Sequence, residues 1–279
     1  MNLFSGRKLV IATKHQKENI IGPRVASKLG VLPLVAKDFD TDQLGTFTGE
    51  IERSLEALAT ARRKCEMAME ITGCDIAISS EGSFGMHPTL IFIPCNEELV
   101  MLKDRKNDLE IVGKKLSIDT NFDGQICRGE QDLCAFAKKC GFPEDALILR
   151  SNKDSNEFML KGIQHWDELK NTFQQLIASN AQAFVETDMR SMYNSKRRTV
   201  IAEATEIMII KALNCCKNCG TPGFGVTEMI SGLPCELCGA PTPSIKSFIH
   251  SCQKCDYTEI QSGTNKPFES PQYCNHCNP

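Results

Sequence analysis

The eight cysteines near the end of this sequence are the residues whose types and spacing most clearly indicate chemistry. They form four Cys-x-x-Cys pairs: Cys216/Cys219, Cys235/Cys238, Cys252/Cys255 and Cys274/Cys277. Two thiolates with two residues between them can direct both sulfurs at one point, and two such pairs complete the tetrahedron that structural zinc prefers. The spacing therefore predicts two structural zinc ions, each held by four cysteines, with His250 and His276 outside both sites.

The spacing leaves open which pairs share an ion. Intervals of 15, 13 and 18 residues separate consecutive pairs, and each interval suits a zinc ribbon. We favour sequential partnership, first pair with second and third with fourth, over nested or interleaved partnership. Gly220 and Gly239 directly follow two of the pairs, where a tight turn would help backbone N–H groups to face the sulfurs.

The spacing of the cysteines indicates which metal the segment binds, but it says less about what the segment does. A site with four thiolates has no open position, so it stabilises a fold rather than catalysing a reaction. From Cys216 to Pro279 there is no arginine, and four lysines stand against five acidic residues, which makes the segment a poor partner for nucleic acid. We interpret it as a structural cap, with recruitment of a protein partner as the alternative.

Polar side chains follow two predicted strands in the first part of the chain. Thr13, Lys14 and Lys17 come between the strand at residues 9–13 and a helix, and a hydroxyl with two lysines at a helix start suits a phosphate group. Glu81 follows the buried strand at residues 74–79, and its carboxylate suits a divalent cation such as Mg²⁺. In open α/β sheets, ligands collect at such strand ends.

An arginine lies on an apolar helical stripe. In the helix predicted over residues 49–73, Arg62 falls among Leu55, Leu58, Cys65 and Met69 at 100° per residue. An unpaired charge on a buried face is costly, so this guanidinium needs an anionic partner. A carboxylate in an internal ion pair and a phosphate in a cleft satisfy that need equally, because the guanidinium fork suits both.

The elements that must position these residues alternate between strands and helices up to about residue 213, after which Gly, Pro and Cys dominate. This pattern predicts a mixed, three-layer-like α/β domain over 1–213, followed by a small double zinc-ribbon module over 214–279. Further strands are predicted at 31–36, 90–93, 99–102, 109–112, 146–149 and 183–186. Helices are predicted at 23–30, starting at Pro23, and at 131–140, 167–179 and 199–213.

The composition narrows the classes of function. A net charge of −3 over 279 residues argues against a dedicated nucleic-acid coat. No apolar run approaches the ~20 residues of a membrane span, and the first eight residues lack the pattern of a secretory signal. Clustered Cys-x-x-Cys pairs then indicate metal ligands in a reducing compartment. We expect a cytoplasmic protein without a membrane association.

Several stretches carry a resemblance to a known family: LVIATKHQKENIIGP, TDQLGTFTGEIERSLEALATARRKC, CDIAISSEGSFGMHPT, NEELVMLKDRKN and the closing cysteine-rich segment. With these stretches the chain resembles a bacterial, zinc-ribbon-tailed family known only as a domain of unknown function, numbered 6671. That resemblance covers most of the chain. It implies no particular activity.

The order of the motifs is also similar, more distantly, to the inosine/xanthosine triphosphate pyrophosphatases. Thr13–Lys17 stands in the place of their phosphate loop, and Glu50 leads the helix that carries their inward Ala-Arg element, here Ala61–Arg62. Ser80–Gly82 matches an acidic turn, and Arg197–Arg198 precede the last helix. This resemblance implies a nucleotide hydrolase for the first domain.

One hypothesis is therefore an enzyme, a Mg²⁺-dependent hydrolase of a nucleotide or related phosphate ester. In it, Lys14 and Lys17 hold phosphates. Glu50 and Glu81 hold Mg²⁺, which positions water and polarises the phosphoryl oxygens. Arg62 neutralises the charge that develops during the reaction.

The other hypothesis is a protein that binds a nucleotide without turnover and recruits a protein partner through its zinc module. His15 and Ser83 favour it, because the pyrophosphatases have asparagine and glycine at these places. Nucleotide binding without hydrolysis would distinguish this function from the enzyme.

Overall fold

The computed structural model of this protein describes residues 2–36, 56–153 and 157–279. Within that part the polypeptide forms two compact units. The first is Phe4–Ile209, and the second is Ile210–Pro279 together with the first residues of the chain. The division falls inside the last helix, which spans Ser195–Leu213.

Five α-helices and twelve strands are found among the described residues. The helices are α1 (Glu18–Leu29), α2 (Ala57–Thr72), α3 (Glu130–Lys139), α4 (Trp166–Asn180) and α5 (Ser195–Leu213). The strands of the first unit are β1 (Lys8–Ala12), β2 (Leu32–Val35), β3 (Ile76–Met86), β4 (Pro94–Asp104), β5 (Leu109–Ser117), β6 (Gly124–Cys127), β7 (Leu147–Arg150), β8 (Met159–Ile163) and β9 (Ala183–Thr187). Those of the second unit are β10 (Gly225–Ser231), β11 (Ile245–Ser251) and β12 (Thr258–Ser262).

A five-stranded sheet, in the order β2-β1-β3-β4-β5, forms the centre of the first unit. β1 pairs in parallel with β2 and β3, whereas β4 runs antiparallel to both β3 and β5. Parallel neighbours need a crossover connection, and α1 and α2 lie in the connections that lead to β2 and β3. A tight turn joins β4 to β5, with Asp108 at a positive φ of 49°.

Side chains alternate between the two faces of this sheet, and each face carries its own helices. One face, which includes Ala77, Ser79 and Met101, packs against α2. The other face carries α1 against Ile11 and α5 against Gly113, where a Cβ atom would collide with the backbone of α5. Helix, sheet and helix form three layers, which confirms the predicted mixed α/β class.

A smaller antiparallel sheet, in the order β6-β9-β7-β8, completes the first unit. α3 and α4 lie in the sequence around its strands and share with them an apolar core that includes Phe136 and Phe173. Arg150 and Phe184, which pair across β7 and β9, line a cleft of about 860 Å³. That cleft also reaches Met86, the last residue of β3.

The prediction of a buried strand at residues 90–93 is wrong. These residues form part of the turn of the long hairpin between β3 and β4, each of which has eleven residues. Leu90, Ile91 and Phe92 are exposed there, Phe92 to 88%. A short apolar run carries no period, so nothing in it distinguishes a buried strand from an exposed turn.

Two helices begin earlier than the pattern predicts, whereas those predicted at 131–140 and 167–179 are confirmed to within one residue at each end. α1 begins at Glu18 and includes Pro23, which the prediction placed at its start. α5 begins at Ser195, whose backbone N–H donates to Asp145 over 2.6 Å. A carboxylate fifty positions away thus satisfies the start of this helix, and no local sequence pattern shows it.

None of the helices in the described ranges combines the length and apolar character that crossing a membrane requires.

Candidate metal centres and a buried charged cluster

The cysteine pairs of the second unit gather into two tetrads. One consists of Cys216, Cys219, Cys252 and Cys255, and the other of Cys235, Cys238, Cys274 and Cys277. Within each tetrad the four sulfurs lie within 4.8 Å of one another. The first pair is thus partnered with the third and the second with the fourth. This is the interleaved order, and the sequential partnership that we favoured from the spacing is wrong.

The sheet of the second unit explains the interleaved order. Its strands are antiparallel in the order β10-β11-β12, and one strand lies between each cysteine pair and the next. Gly225, Ser251 and Thr258 are neighbours in register, so the first and third pairs share one end of the sheet. A strand of seven residues spans about 20 Å, which places consecutive pairs at opposite ends and prevents them from sharing an ion.

The sulfur geometry of both tetrads fits zinc. A regular tetrahedron with Zn–S bonds of about 2.3 Å places its sulfurs about 3.8 Å apart. The corresponding distances are 3.8 Å for Cys216–Cys255, 3.5 Å for Cys219–Cys252, 3.9 Å for Cys235–Cys277 and 3.7 Å for Cys238–Cys274. A disulfide would bring two sulfurs to about 2.05 Å, so the eight side chains are free thiols arranged as metal ligands.

The turns of the first two pairs are built alike. The N–H of Gly220 donates to the carbonyl oxygen of Cys216 over 2.8 Å, and that of Gly239 donates to Cys235 over 2.9 Å. Both glycines have positive φ values, 72° and 71°, which confirms the tight turns expected from the sequence. A side chain at either position would strain the turn that holds the two sulfurs together.

A second candidate site lies in the first unit, where charged side chains are buried on and beside β3. Lys17, Lys64, Glu81, Glu98 and Arg197 are each at most 9% exposed. We call these five residues the buried charged cluster. Among the described residues, three cations stand against two carboxylates here, so these five groups carry one surplus positive charge when all are ionised. Buried charges need compensation, so this composition suits an anionic ligand.

Lys17 and Arg197 approach the sheet from the layer that contains α1 and α5. The Nζ of Lys17 donates to the carbonyl oxygen of Ser80 over 3.3 Å and to its hydroxyl over 3.1 Å. The Nε of Arg197, in the first turn of α5, donates to Glu98 over 2.7 Å, and its Nη1 donates to the carbonyl oxygen of Met189 over 2.5 Å. On this side of the sheet Arg197 thus pairs with the carboxylate of Glu98, while the ammonium group of Lys17 is held by Ser80.

Lys17 lies where β1 ends beside the longer β3. β1 ends at Ala12, opposite Ser79, while β3 continues to Met86. Beyond the end of β1, Lys17 donates to the Ser80 carbonyl oxygen from the end of the following loop. This is the strand-end position where open α/β sheets collect ligands.

The loop between β1 and α1 is strained. His15 and Gln16 both have positive φ values, 64° and 61°. Such a conformation costs about 1–3 kcal/mol per residue and concentrates at functional sites. The hydroxyl of Ser191 donates to the carbonyl oxygen of His15 over 2.5 Å and helps to hold the loop in this shape.

Burial lowers the pKa of Lys17 to about 8. The positive charge of Arg197 acts in the same direction, while the carboxylates of Glu98 and Glu81 oppose it. The ammonium group of Lys17 thus loses its proton more readily than an exposed lysine does, mainly because it is buried. An anion placed beside it would raise the pKa again.

Glu81 lies on the other face of the sheet, because β3 alternates. Gly82 is paired with Glu98, and Glu81 is paired with Leu99 on the side of α2. There the carboxylate of Glu81 lies 2.5 Å from the ammonium of Lys64. The proposed Mg²⁺ ligand is thus engaged in a buried ion pair.

Arg62 does not belong to this cluster. Its Nε and Nη2 donate to the two carboxylate oxygens of Glu110 over 2.7 and 2.8 Å, and Lys103 adds a contact of 2.7 Å. The hydrogen bond from Arg62 is the main reason that the pKa of Glu110 falls to about 2. The Arg62 side chain is 39% exposed. Of the two partners that the sequence allowed, a carboxylate or a phosphate, Arg62 is paired with the carboxylate.

The remaining predicted ligands have different outcomes. Thr13 and Lys14 lie half-buried in the loop after β1, and the hydroxyl oxygen of Thr13 is buried. Glu50 lies outside the described residues, so its role stays a prediction. Lys64 and Glu98 were not identified from the sequence, although Lys64 shares a helical stripe with Ala61 and Cys65 that could have revealed it.

Comparison with known proteins gives a match to a sequence family. The sequence profile of a family described as "Domain of unknown function (DUF6671)" matches residues 64–279. The search of curated proteins gives no match.

Proposed function

Because the chain belongs to this family, whose description gives no activity, we propose a function from the geometry alone. The first unit binds a phosphate-bearing anion of the nucleotide class beside Lys17 and Arg197. The second unit is a structural module that holds two zinc ions. The distant resemblance to nucleotide pyrophosphatases agrees with this choice of ligand.

The surplus positive charge of the buried charged cluster is the observation that supports this proposal most. Arg197 pairs with the carboxylate of Glu98, Lys17 lies within the electrostatic influence of both, and the pKa of Lys17 is depressed. Perturbed ionisable groups at the ends of strands are typical of functional sites. A phosphate group would neutralise the surplus and accept hydrogen bonds from both cations.

The neighbouring cleft has room for the rest of such a ligand. Arg197 lies 5.3 Å from the centre of the Phe84 ring, and Phe84 lies 5.5 Å from Phe122, which lines the cleft. The volume of the cleft, about 860 Å³, is within the range of roughly 300–1,000 Å³ that is common for small-molecule sites. Lys138 and Lys153 also line it, which suits an anionic ligand.

Binding without turnover is better supported than Mg²⁺-dependent hydrolysis. A Mg²⁺ ion at Glu81 would have to displace Lys64, and Glu98 lies on the opposite face of the sheet. In the described ranges, only the cysteine tetrads bring three or more metal-binding side chains together. Hydrolysis would require ligands such as Glu50 to complete a magnesium site.

Calorimetric titration of the wild-type protein with inorganic pyrophosphate, a canonical nucleoside triphosphate and inosine triphosphate tests this function. Lys17→Met should weaken binding at least tenfold. It should not unfold the domain, because replacing a buried cation by an apolar side chain of similar length removes a desolvation cost. Lys28→Met is the matched control, since Lys28 lies on α1 but pairs with Glu206 at the surface.

Absence of binding to all three ligands, or equal binding by wild type and Lys17→Met, would refute the proposed site. Release of phosphate or pyrophosphate in the presence of Mg²⁺ would instead establish the enzyme.

Recruitment of a protein partner is a second proposed role for the second unit. Exposed apolar side chains on this unit support it, among them Met229, Leu237 and Ile260. Free thiolates also need a reducing compartment, so we propose that the protein works in the cytoplasm. Affinity capture with zinc-loaded full-length protein, compared with a Leu237→Ser, Ile260→Ser variant, tests the first point. Capture of the same proteins by the wild type and by the variant would count against recruitment through these side chains.

A further inference from the structure

The turn of the β3–β4 hairpin exposes a group of large apolar side chains. Met86, Leu90, Ile91, Phe92 and Ile93 are between 37% and 88% exposed. We call these five residues the apolar tip. No Asp, Glu, Lys or Arg occurs between Gly82 and Asn96, so the tip is also free of formal charge apart from any proton on His87.

The apolar tip has a defined conformation. The Nδ1 of His87 accepts the N–H groups of Thr89 and Leu90 over 3.1 and 3.0 Å. The N–H of His87 donates to the carbonyl oxygen of Ile93 over 2.8 Å, and the N–H of Ile93 donates to Leu90 over 2.9 Å. A surface that is already ordered loses less conformational entropy when it binds.

The exposed area is sufficient for a weak symmetric dimer. The five side chains leave roughly 500 Å² of apolar surface in water, since a large side chain presents on the order of 200 Å² when fully exposed. That value lies at the upper end of the largest apolar patch on a typical monomer, roughly 300–600 Å². Two tips packed together would bury about 1,000 Å², close to the lower limit for a specific interface.

Charge favours a second copy of this chain over an anionic membrane. A basic segment next to an apolar anchor is what attracts anionic lipid, and the apolar tip contains no lysine or arginine. Two of the lysines in the adjacent cleft, Lys139 and Lys196, are paired with Asp123 and Asp119 over 2.7 and 2.5 Å. An uncharged patch meets its own copy without repulsion, and a two-fold axis joins the same patch on both subunits.

We infer that the apolar tip of the β3–β4 hairpin is a self-association surface, through which two copies of this chain form a weak symmetric dimer. The inference does not depend on anion binding by the buried charged cluster. Phe92, the most exposed member, lies at the centre of the contact, and Ile91 packs beside it.

Sedimentation velocity of the full-length protein across a wide concentration range tests this inference. The average mass of the wild type should rise from 31.0 kDa towards twice that value. Ile91→Lys should weaken association at least tenfold, because each dimer would bury two unpaired charges. Ile71→Lys is the matched control, since Ile71, in the last turn of α2, has nearly the same exposure, 57% against 60%.

A wild-type protein that stays at 31.0 kDa at the highest concentration would overturn the inference. So would an equal weakening by Ile91→Lys and Ile71→Lys. Co-sedimentation of a monomeric wild type with vesicles of phosphatidylcholine and phosphatidylserine, lost in Ile91→Lys, would assign the tip to a membrane surface instead.

Discussion

Serine replacement of whole cysteine pairs tests the interleaved order of the metal sites. Replacing the first and third pairs removes one complete tetrad and leaves the other intact. That variant should retain one zinc ion per chain. Replacing the first and second pairs removes two ligands from each tetrad, and this variant should retain none. Sequential partnership predicts the opposite result for the two variants, with the same number of cysteines removed in each.

Loss of zinc should destabilise the second unit strongly, because this unit buries little apolar surface. Apart from its cysteines, Ala212 and Pro222, its buried apolar residues are Phe224 and Leu233. Burying two such side chains contributes about 3–6 kcal/mol. A structural zinc ion contributes roughly 10–16 kcal/mol in small zinc peptides. Metal binding therefore dominates the stability of this unit, and loss of both ions should unfold it while the first unit stays folded.

Zinc per chain is measured by atomic emission in reduced, purified protein, and folding by limited proteolysis. The variant without its first two pairs should be cleaved throughout residues 216–279, with a protected fragment that retains the first unit. The variant without its first and third pairs should be protected at the end of the sheet that holds the remaining tetrad. No zinc in the latter variant and one ion in the former would refute the interleaved order.

Three further predictions concern the first unit. Burial lowers the pKa of Lys17 from 10.5 to about 8. Between these two pH values the unfolded state binds more protons than the folded state, so the free energy of unfolding should increase as the pH rises through this window. Urea titrations should show that contribution in the wild type and not in Lys17→Met. Glu110→Gln should cost about 1 kcal/mol at neutral pH, because the ion pair that it breaks is partly exposed. That cost should shrink as the pH falls from 4.5 towards 2, where the wild-type carboxylate is protonated, and acid unfolding curves measure it. Gly82→Ala should lower stability by about 1–3 kcal/mol in thermal melts, because its methyl group would collide with Glu98. Gly85→Ala, which has open space, should be much milder.

Part of the charged cluster could be predicted from the sequence, because it lies where strands end. The loop with Lys17 and the segment with Glu81 both follow predicted strands, and the parallel pairing of β1 with β3 brings them to one edge. Their partners were harder to predict. Lys64 was passed over in favour of Arg62, and a shift of two residues on a helix turns a side chain by about 200°. Identifying Glu98 required the register of β4 against β3.

The apolar tip could likewise be predicted only in part from the sequence. The apolar run at residues 90–93 is visible in the sequence, but its exposure depends on how far the β3–β4 hairpin extends past β1. β1 pairs with β3 only as far as Ser79, so the last seven residues of β3 extend past it. Burial is a property of what packs on a residue, and a short apolar run does not specify its neighbours.

In the cysteine-rich unit, the features set by local sequence and those set by tertiary structure are easiest to tell apart. The candidate metal ligands could be predicted from the sequence alone, because two thiolates three positions apart meet at one point through local geometry. The tight turns after Cys219 and Cys238 were equally local, since they depend on the glycine that follows. The partnership of the pairs, by contrast, depends on how the strands of this unit are arranged. Each strand carries the chain to the other end of an antiparallel sheet, so alternate pairs meet and consecutive pairs cannot.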